Sequence, residues 1–182
     1  MERVYYAEMK TPEGSLWAAA TDEGLLYTSR SEEDLFGEIR CRLKADFVKD
    51  PSKFQELREW LDAFYRGDPV SYEGAFDLRG TEFQKKVWRA IHDIPYGRLT
   101  SYGRIARDIG KPKAARAVGN AVGANPLGPV IPCHRVVWSN GGLGGFGGGL
   151  GRKRELLHLE GVLPRVEGTP EKDIDLRQFF YR

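Results

Sequence analysis

The residues best suited to chemistry lie in the second half of this 182-residue chain. The string Pro132-Cys133-His134-Arg135-Val136-Val137 sets a thiol beside an imidazole in an apolar run that follows Asn125-Pro126 and Val130-Ile131. A thiol is a weak nucleophile near neutral pH until a base or a positive field favours the thiolate, and an imidazole can do so directly or through a water. Successive side chains of a strand point to opposite faces, so Cys133 and His134 cooperate only if the chain turns between them. Spacing alone leaves open both a buried structural cysteine and an activated nucleophile. Residues 141–151 hold eight glycines in eleven positions, and Gly142, Gly144 and Gly147 satisfy GxGxxG. Too little chain follows for the rest of a dinucleotide-binding unit, and no Lys-Ser/Thr step makes a phosphate loop. We expect a tight loop, or one that lets a ligand approach the backbone. It leads into a helix over residues 150–160, with Arg152, Lys153 and Arg154 exposed and Leu156, Leu157 and Leu159 inward. Glu160 meets the negative end of that helix dipole, a placement that a partner such as a histidine would explain.

The elements before this string predict how it is carried. Thr81 caps a helix with Phe83, Val87, Trp88 and Ile91 on one face, ending at Pro95-Tyr96-Gly97. Two short helices follow, over residues 101–109 and 112–123, joined by Gly110-Lys111 in a helix-turn-helix arrangement, with Pro112 suited to the first turn of the second. That second helix is nearly bare. Ala115, Ala117 and Gly119 offer almost no side chain, and Arg116 is the large charged group in its interior. A helix that reads the major groove carries several long polar side chains. A bare helix with one protruding Arg suits close backbone approach to a minor groove, where a wedge can displace a base; an Ala/Gly helix buried in a core is the alternative.

The first 80 residues alternate differently. Residues 4–9, 16–21 and 25–28 read as a three-strand meander; Leu35, Phe36, Ile39, Leu43 and Phe47 then fall at helical spacing behind Ser31. A second helix, with Phe54, Leu57, Trp60, Leu61, Phe64 and Tyr65 on one face, starts near Pro51 and stops at Gly67. Residues 68–80 read as a strand plus linker. The net charge of +2 conceals a split: residues 1–80 carry −6, 81–165 carry +9 and 166–182 carry −1. Clustered cations release counterions on meeting phosphates, which points the second half at a nucleic acid or another polyanion. No run approaches a membrane span, and the opening MERVYYAEMK lacks the features of a signal peptide, so we expect an intracellular protein. Cys41 and Cys133 make no disulfide framework, and no metal-ligand spacing is present.

From Tyr96-Gly97 through Ser101-Tyr102-Gly103, residues 112–126, Ile131-Pro132-Cys133-His134-Arg135-Val136 and residues 156–161, the chain resembles the O6-alkylguanine-DNA alkyltransferases. The resemblance implies an α/β ribonuclease-H-like domain (1–80), a mostly α winged helix-turn-helix domain carrying the active site (81–165) and a tail (166–182). It implies repair by direct reversal: O6-alkylguanine is flipped out of duplex DNA and its alkyl group is moved irreversibly to the protein in one turnover, without cofactor or metal. Cys133 matches the acceptor, His134 the residue that deprotonates it through a water, and Glu160 the carboxylate orienting this His. Asn125 matches a hinge, and Tyr102 a residue that assists rotation of the phosphate and donates to the base. Arg116 matches the finger entering the base stack; Ala115, Ala117, Gly119, Ser101 and Arg135 are expected at the DNA with it. Val136, Phe146, Gly147 and Trp138 are expected to line the substrate pocket, the Cys133 and Val136 carbonyls reading the guanine amino group. Phe146 and Gly147 stand where many members carry Tyr or Ser, which implies a roomy pocket that admits benzyl groups. Double-stranded DNA, with O4-alkylthymine a further lesion, is the expected partner, met by a monomer in the cytoplasm of a prokaryote or the nucleus of a eukaryote. The rival readings are a lesion-binding protein that signals without transfer, a winged-helix regulator and a cysteine hydrolase.

Overall fold

The computed structural model describes residues 1–163 and 175–181 and divides into two compact units: Met1–Arg79 with Pro126–Gly128, and Gly80–Asn125 with Pro129–Arg182. The first is built on a mixed four-stranded sheet of order β3-β2-β1-β4, from β1 (Glu2–Thr11), β2 (Gly14–Thr21), β3 (Gly24–Ser29) and β4 (Ala45–Lys49). Strands β1 to β3 form the antiparallel meander, and β4 joins β1 in parallel with Val4 opposite Phe47. Val4, Tyr5, Ala7 and Met9 are all buried, so β1 is covered on both faces. Helix α1 (Glu32–Arg40) lays Leu35 and Ile39 on the face carrying Val4 and Ala19. Helix α2 (Gln55–Arg66) packs against β1 with Leu57, Trp60, Leu61 and Phe64 buried.

Strand β4 corrects the sequence reading. Leu43 and Phe47 continue the helical spacing of α1, yet the helix stops at Arg40, and Phe47 lies beside Tyr6 and Phe36 as part of a strand. The five-residue strand is too short to impose its own period on an apolar pattern. Residues 68–80 likewise form no strand beyond a bridge between Phe76 and Leu25. There the backbones come close: Leu25 N–H donates to Ala75 O (2.9 Å) and Asp77 N–H to Leu25 O (2.8 Å). Gly24 has φ +141°, and a Cβ on it would lie 2.4 Å from the Ala75 carbonyl.

The second unit begins with α3 (Glu82–His92), held at its start by a capping box in which Gln84 N–H donates to Thr81 Oγ1 and Thr81 N–H to Gln84 Oε1. Its Trp88 reaches across and donates Nε1–H to Ala121 O (2.8 Å), pinning α3 to α5 (Ala115–Gly123). Between them runs α4 (Tyr102–Asp108). Helix α5 starts at Ala115, three residues later than the sequence suggests: Ala114 N–H donates to Lys111 O, so residues 111–114 close a turn and Pro112 precedes the helix. Two short parallel strands, β5 (Thr100–Ser101) and β6 (Val136–Val137), lie beside each other, and α6 (Leu150–Leu159) follows. Leu99, Val137, Leu157, Val162, Leu163 and Leu176 form one buried cluster. Leu176 belongs to the segment set apart from sequence as a tail. Its described part, 175–181, returns to Leu99, which donates to Phe179 O and accepts from Tyr181 N–H. The rest of that tail lies outside the described residues.

Changing Gly24 to Ala should destabilise the protein by roughly 2–4 kcal/mol, because the left-handed backbone is strained and the methyl group meets backbone that cannot swing away. Urea denaturation of the variant against the parent measures the loss.

Candidate active site

Cys133 opens a single 3-10 turn, Cys133–Arg135, so the chain does turn between Cys133 and His134, a point that spacing leaves open. Cys133 N–H donates to Ile131 O (2.8 Å) and Arg135 N–H to Pro132 O (2.9 Å), which bends the chain and removes the alternation of a strand. Adjacent side chains are thereby separated from a strict up-down pattern: His134 is completely buried while Cys133 stays partly open. Asn125, just beyond the end of α5, donates Nδ2–H to Ile131 O (2.7 Å) and hydrogen-bonds the Cys133 thiol.

Behind Cys133 lies a buried polar group centred on Glu160, at the C-cap of α6. His134 Nε2 is 2.6 Å from Glu160 Oε1. Arg135 Nε donates to both carboxylate oxygens at 3.0 Å, its Nη1 donates to Ile94 O, and Gly97 N–H reaches Oε2 at 2.9 Å. Burial works against the charged carboxylate, but His134 and Arg135 outweigh it and hold Glu160 at about 2. Burial also keeps His134 below the ordinary imidazole value despite the pull of Glu160, so the ring is neutral at pH 7. The Cys133 thiol is raised by burial, against the Asn125 hydrogen bond and the charges of Lys153 and Arg152. At rest the thiol is thus protonated and the carboxylate-backed imidazole neutral.

Lys153 corrects an expectation. It was placed on the exposed side of α6, yet its side chain is fully buried and donates to Val136 O (2.7 Å), to Leu143 O and, at 3.4 Å, to Gly145 O. It ties the glycine-rich loop to β6, and burial lowers its pKa to about 8 while the charge of Cys133 opposes the fall. The missed signal is its spacing: Lys153, Leu156, Leu157 and Glu160 occupy i, i+3, i+4 and i+7 of one inward stripe. Arg135 and Ser101, expected at the DNA, are also corrected. Arg135 is 5% exposed and committed to Glu160, and Ser101 is 3% exposed with its hydroxyl capping α4 by accepting from Arg104 N–H.

On α5, Arg116, Ala117 and Asn120 are exposed, Ala115 and Gly119 half-buried, and Val118, Ala121 and Val122 inward. Asn120 went unnoticed in the sequence because a single amide among small residues stands out less than a charge. Tyr102, the first residue of α4, is buried and directs its hydroxyl to Gly145 O (3.4 Å); burial and then the neighbouring Cys133 raise its pKa, so it stays a donor. Gly144 has φ +75°, and a Cβ there would come within 2.8 Å of that hydroxyl, so the loop approaches Tyr102 only because it lacks a side chain. Val136 is buried, Phe146 half-buried, Gly147 exposed and Trp138 exposed against Tyr102. The Val136 carbonyl accepts from Lys153, and the Cys133 carbonyl from Val136 N–H. Among the described residues no group of three or more His, Cys, Asp and Glu is placed to hold a metal ion, and no helix is long and apolar enough to cross a membrane.

Residues 82–162 match the family described as 6-O-methylguanine DNA methyltransferase, DNA binding domain. The chain is 40% identical over 158 residues to the methylated-DNA–protein-cysteine methyltransferase of Methanosarcina acetivorans, covering 87% of this chain and 99% of that protein. It is 41% identical over 157 residues to the protein of the same name from Mycobacterium tuberculosis, covering 86% and 92%. Among solved structures, Mycobacterium tuberculosis OGT in complex with DNA superposes with a TM-score of 0.74 at 40% identity, over 86% of this chain and 92% of that one.

The Glu160 cluster predicts an acid response with a definite sign. Its folded pKa of about 2 lies below the ordinary 4.5, so the charged carboxylate stabilises the fold above pH 4.5 and that contribution is lost as the pH falls toward 2. Glu160→Gln should cost roughly 3–5 kcal/mol at pH 7 by stranding the Arg135 cation, and the gap to the parent should close between pH 4.5 and 2 in urea denaturation.

Proposed function

The chain belongs to the methylated-DNA–protein-cysteine methyltransferase family, and from that premise we propose that Cys133 is the residue that accepts the alkyl group. The protein is a DNA repair methyltransferase that works by direct reversal. The observation that carries the assignment of its residues is the Cys133 turn backed by His134 and Glu160, with Nε2 and Oε1 2.6 Å apart.

On this reading the second unit is a winged helix-turn-helix and the first a ribonuclease-H-like scaffold, supported by the α4–α5 pair and the mixed sheet with helices. The bare face of α5 lies along duplex DNA with Arg116 in the base stack, while O6-alkylguanine, or O4-alkylthymine, is extruded at a cost of a few kcal/mol. His134, through a water, takes the proton from Cys133 Sγ, and Glu160 stabilises the imidazolium. Sulfur then bonds to the alkyl carbon as the carbon–O6 bond breaks. The electron pair of that bond passes into the guanine, helped by the Tyr102 hydroxyl, and the base finally recovers the proton. A thioether on Cys133 has no leaving group of comparable ease, so each molecule acts once. Lys153 contributes by fastening the loop that bears Phe146 and Gly147 and by placing a positive charge near the thiolate as it forms. Exposed Gly147 and half-buried Phe146 favour a pocket that admits a benzyl group. The protein works as a monomer in the compartment that holds the DNA, the cytoplasm in a prokaryote.

Intact-mass and peptide mass spectrometry after mixing with a duplex holding one O6-methylguanine tests this. We expect one methyl group per protein, on Cys133, and no further gain. Tight lesion binding without a mass change would point to a signalling binder instead. Cys133→Ala should abolish transfer and keep DNA binding, measured by mobility shift. Arg116→Ala should slow transfer from duplex tenfold or more relative to transfer from free O6-benzylguanine, followed by rapid-quench kinetics.

A further inference from the structure

Of the four tryptophans, Trp60 and Trp88 are buried at 7% and 1%, Trp17 is half-buried, and Trp138 leaves 53% of its surface to solvent. Isolated exposed apolar residues are ordinary on protein surfaces. Trp138 differs in being held in place. It directly follows β6, and the next turn is closed by two backbone hydrogen bonds, Trp138 N–H to Gly142 O (2.8 Å) and Gly141 N–H to Trp138 O (3.0 Å). Asn140 Oδ1 accepts from Gly142 N–H at 3.0 Å and stiffens the same turn. The indole rests against the ring of Tyr102, with centroids 4.9 Å apart and planes inclined at 51°. The backbone that carries the ring is thus set, and one side of the indole already has a neighbour.

Its neighbours indicate what that is. Tyr102 also touches α5, since a Cβ on Gly119 would lie 3.8 Å from its ring. Gly119 stands one helical turn from Arg116 and so shares its face. Arg116, Gly119, Tyr102 and Trp138 therefore form a continuous line from the exposed face of α5 to the turn after β6. Flat aromatic surface on a basic unit that also exposes Arg116 is a combination that binds nucleotides by stacking, without regard to base identity.

Resting on the reading that α5 meets duplex DNA, we propose that Trp138 is a DNA-stacking residue. Its open ring covers apolar surface of the nucleotide flanking the one that is extruded. Extrusion strips that neighbour of a stacking partner, and an already ordered indole restores part of the lost contact. This assigns Trp138 to DNA rather than to the alkyl group, and makes it a contributor to extrusion and not to the chemical step.

The test uses the full chain and the variants Trp138→Phe and Trp138→Ala. Tryptophan emission of the parent should be quenched on titration with duplex containing O6-methylguanine, and Trp138→Phe should lose most of that quench. Stacking changes affinity roughly five- to hundredfold per base. The ratio of the transfer rate from duplex to that from free O6-benzylguanine should accordingly fall at least fivefold in Trp138→Ala, with partial recovery in Trp138→Phe. Equal loss on both substrates would overturn the proposal and leave Trp138 as a prop for Tyr102. Loss on O6-benzylguanine alone would place it against the alkyl group, and an unchanged quench and ratio would remove it from the DNA altogether. If the parent took no alkyl group from duplex, the transfer reading would fall, while the emission titration would still decide whether Trp138 meets DNA.

Discussion

A single buried carboxylate organises the second unit. Glu160 accepts from His134, Arg135 and Gly97, residues from the Cys133 turn and from the segment that leads into β5. Removing a carboxylate from water is costly, and only a full set of donors makes its burial tolerable. That requirement fixes geometry: the end of α6, the turn and the approach to β5 must meet at one point or the charge is stranded. The same contacts that satisfy the carboxylate set the tautomer and direction of the His134 ring. What holds the His134 ring in place therefore also closes the core.

The chemistry around this centre depends on balanced burial. Desolvation raises the Cys133 thiol and lowers His134, so the resting site holds no ion pair between them. Lys153, lowered to about 8 by burial, is the compensating field. The Asn125 hydrogen bond and the Lys153 charge oppose burial at the thiol. Tyr102 is kept protonated by the same burial and directs its hydroxyl to Gly145 O.

Much of this was legible in the residues, and the failures have physical causes. The helices α2 and α3 follow from apolar stripes and caps, and the meander from alternation between turns. Strand β4 was hidden because five residues cannot contradict a helical period that happens to run into them. Cys133 and His134 could not be related by spacing, since a three-residue 3-10 turn leaves no periodic trace. Arg135 and Lys153 were assigned to the surface because charge usually means exposure, whereas each is buried against a specific set of acceptors that lie far away in sequence. The Glu160 partner was foreshadowed by its awkward position at a helix C-terminus, a local conflict that pointed to a tertiary solution.

The three residues Pro126–Gly128 belong to the first unit, where Thr28 N–H donates to Pro126 O and Thr28 Oγ1 to Gly128 O, across 98 and 100 positions of sequence. The chain thus leaves the second unit directly after Asn125 and re-enters it at Pro129, four residues before Cys133. Neither unit is an uninterrupted stretch of gene. A recombination event that moved residues 1–79 alone would leave three residues behind, and one that moved the rest would carry them away from Thr28. The interleaving raises contact order and so slows folding.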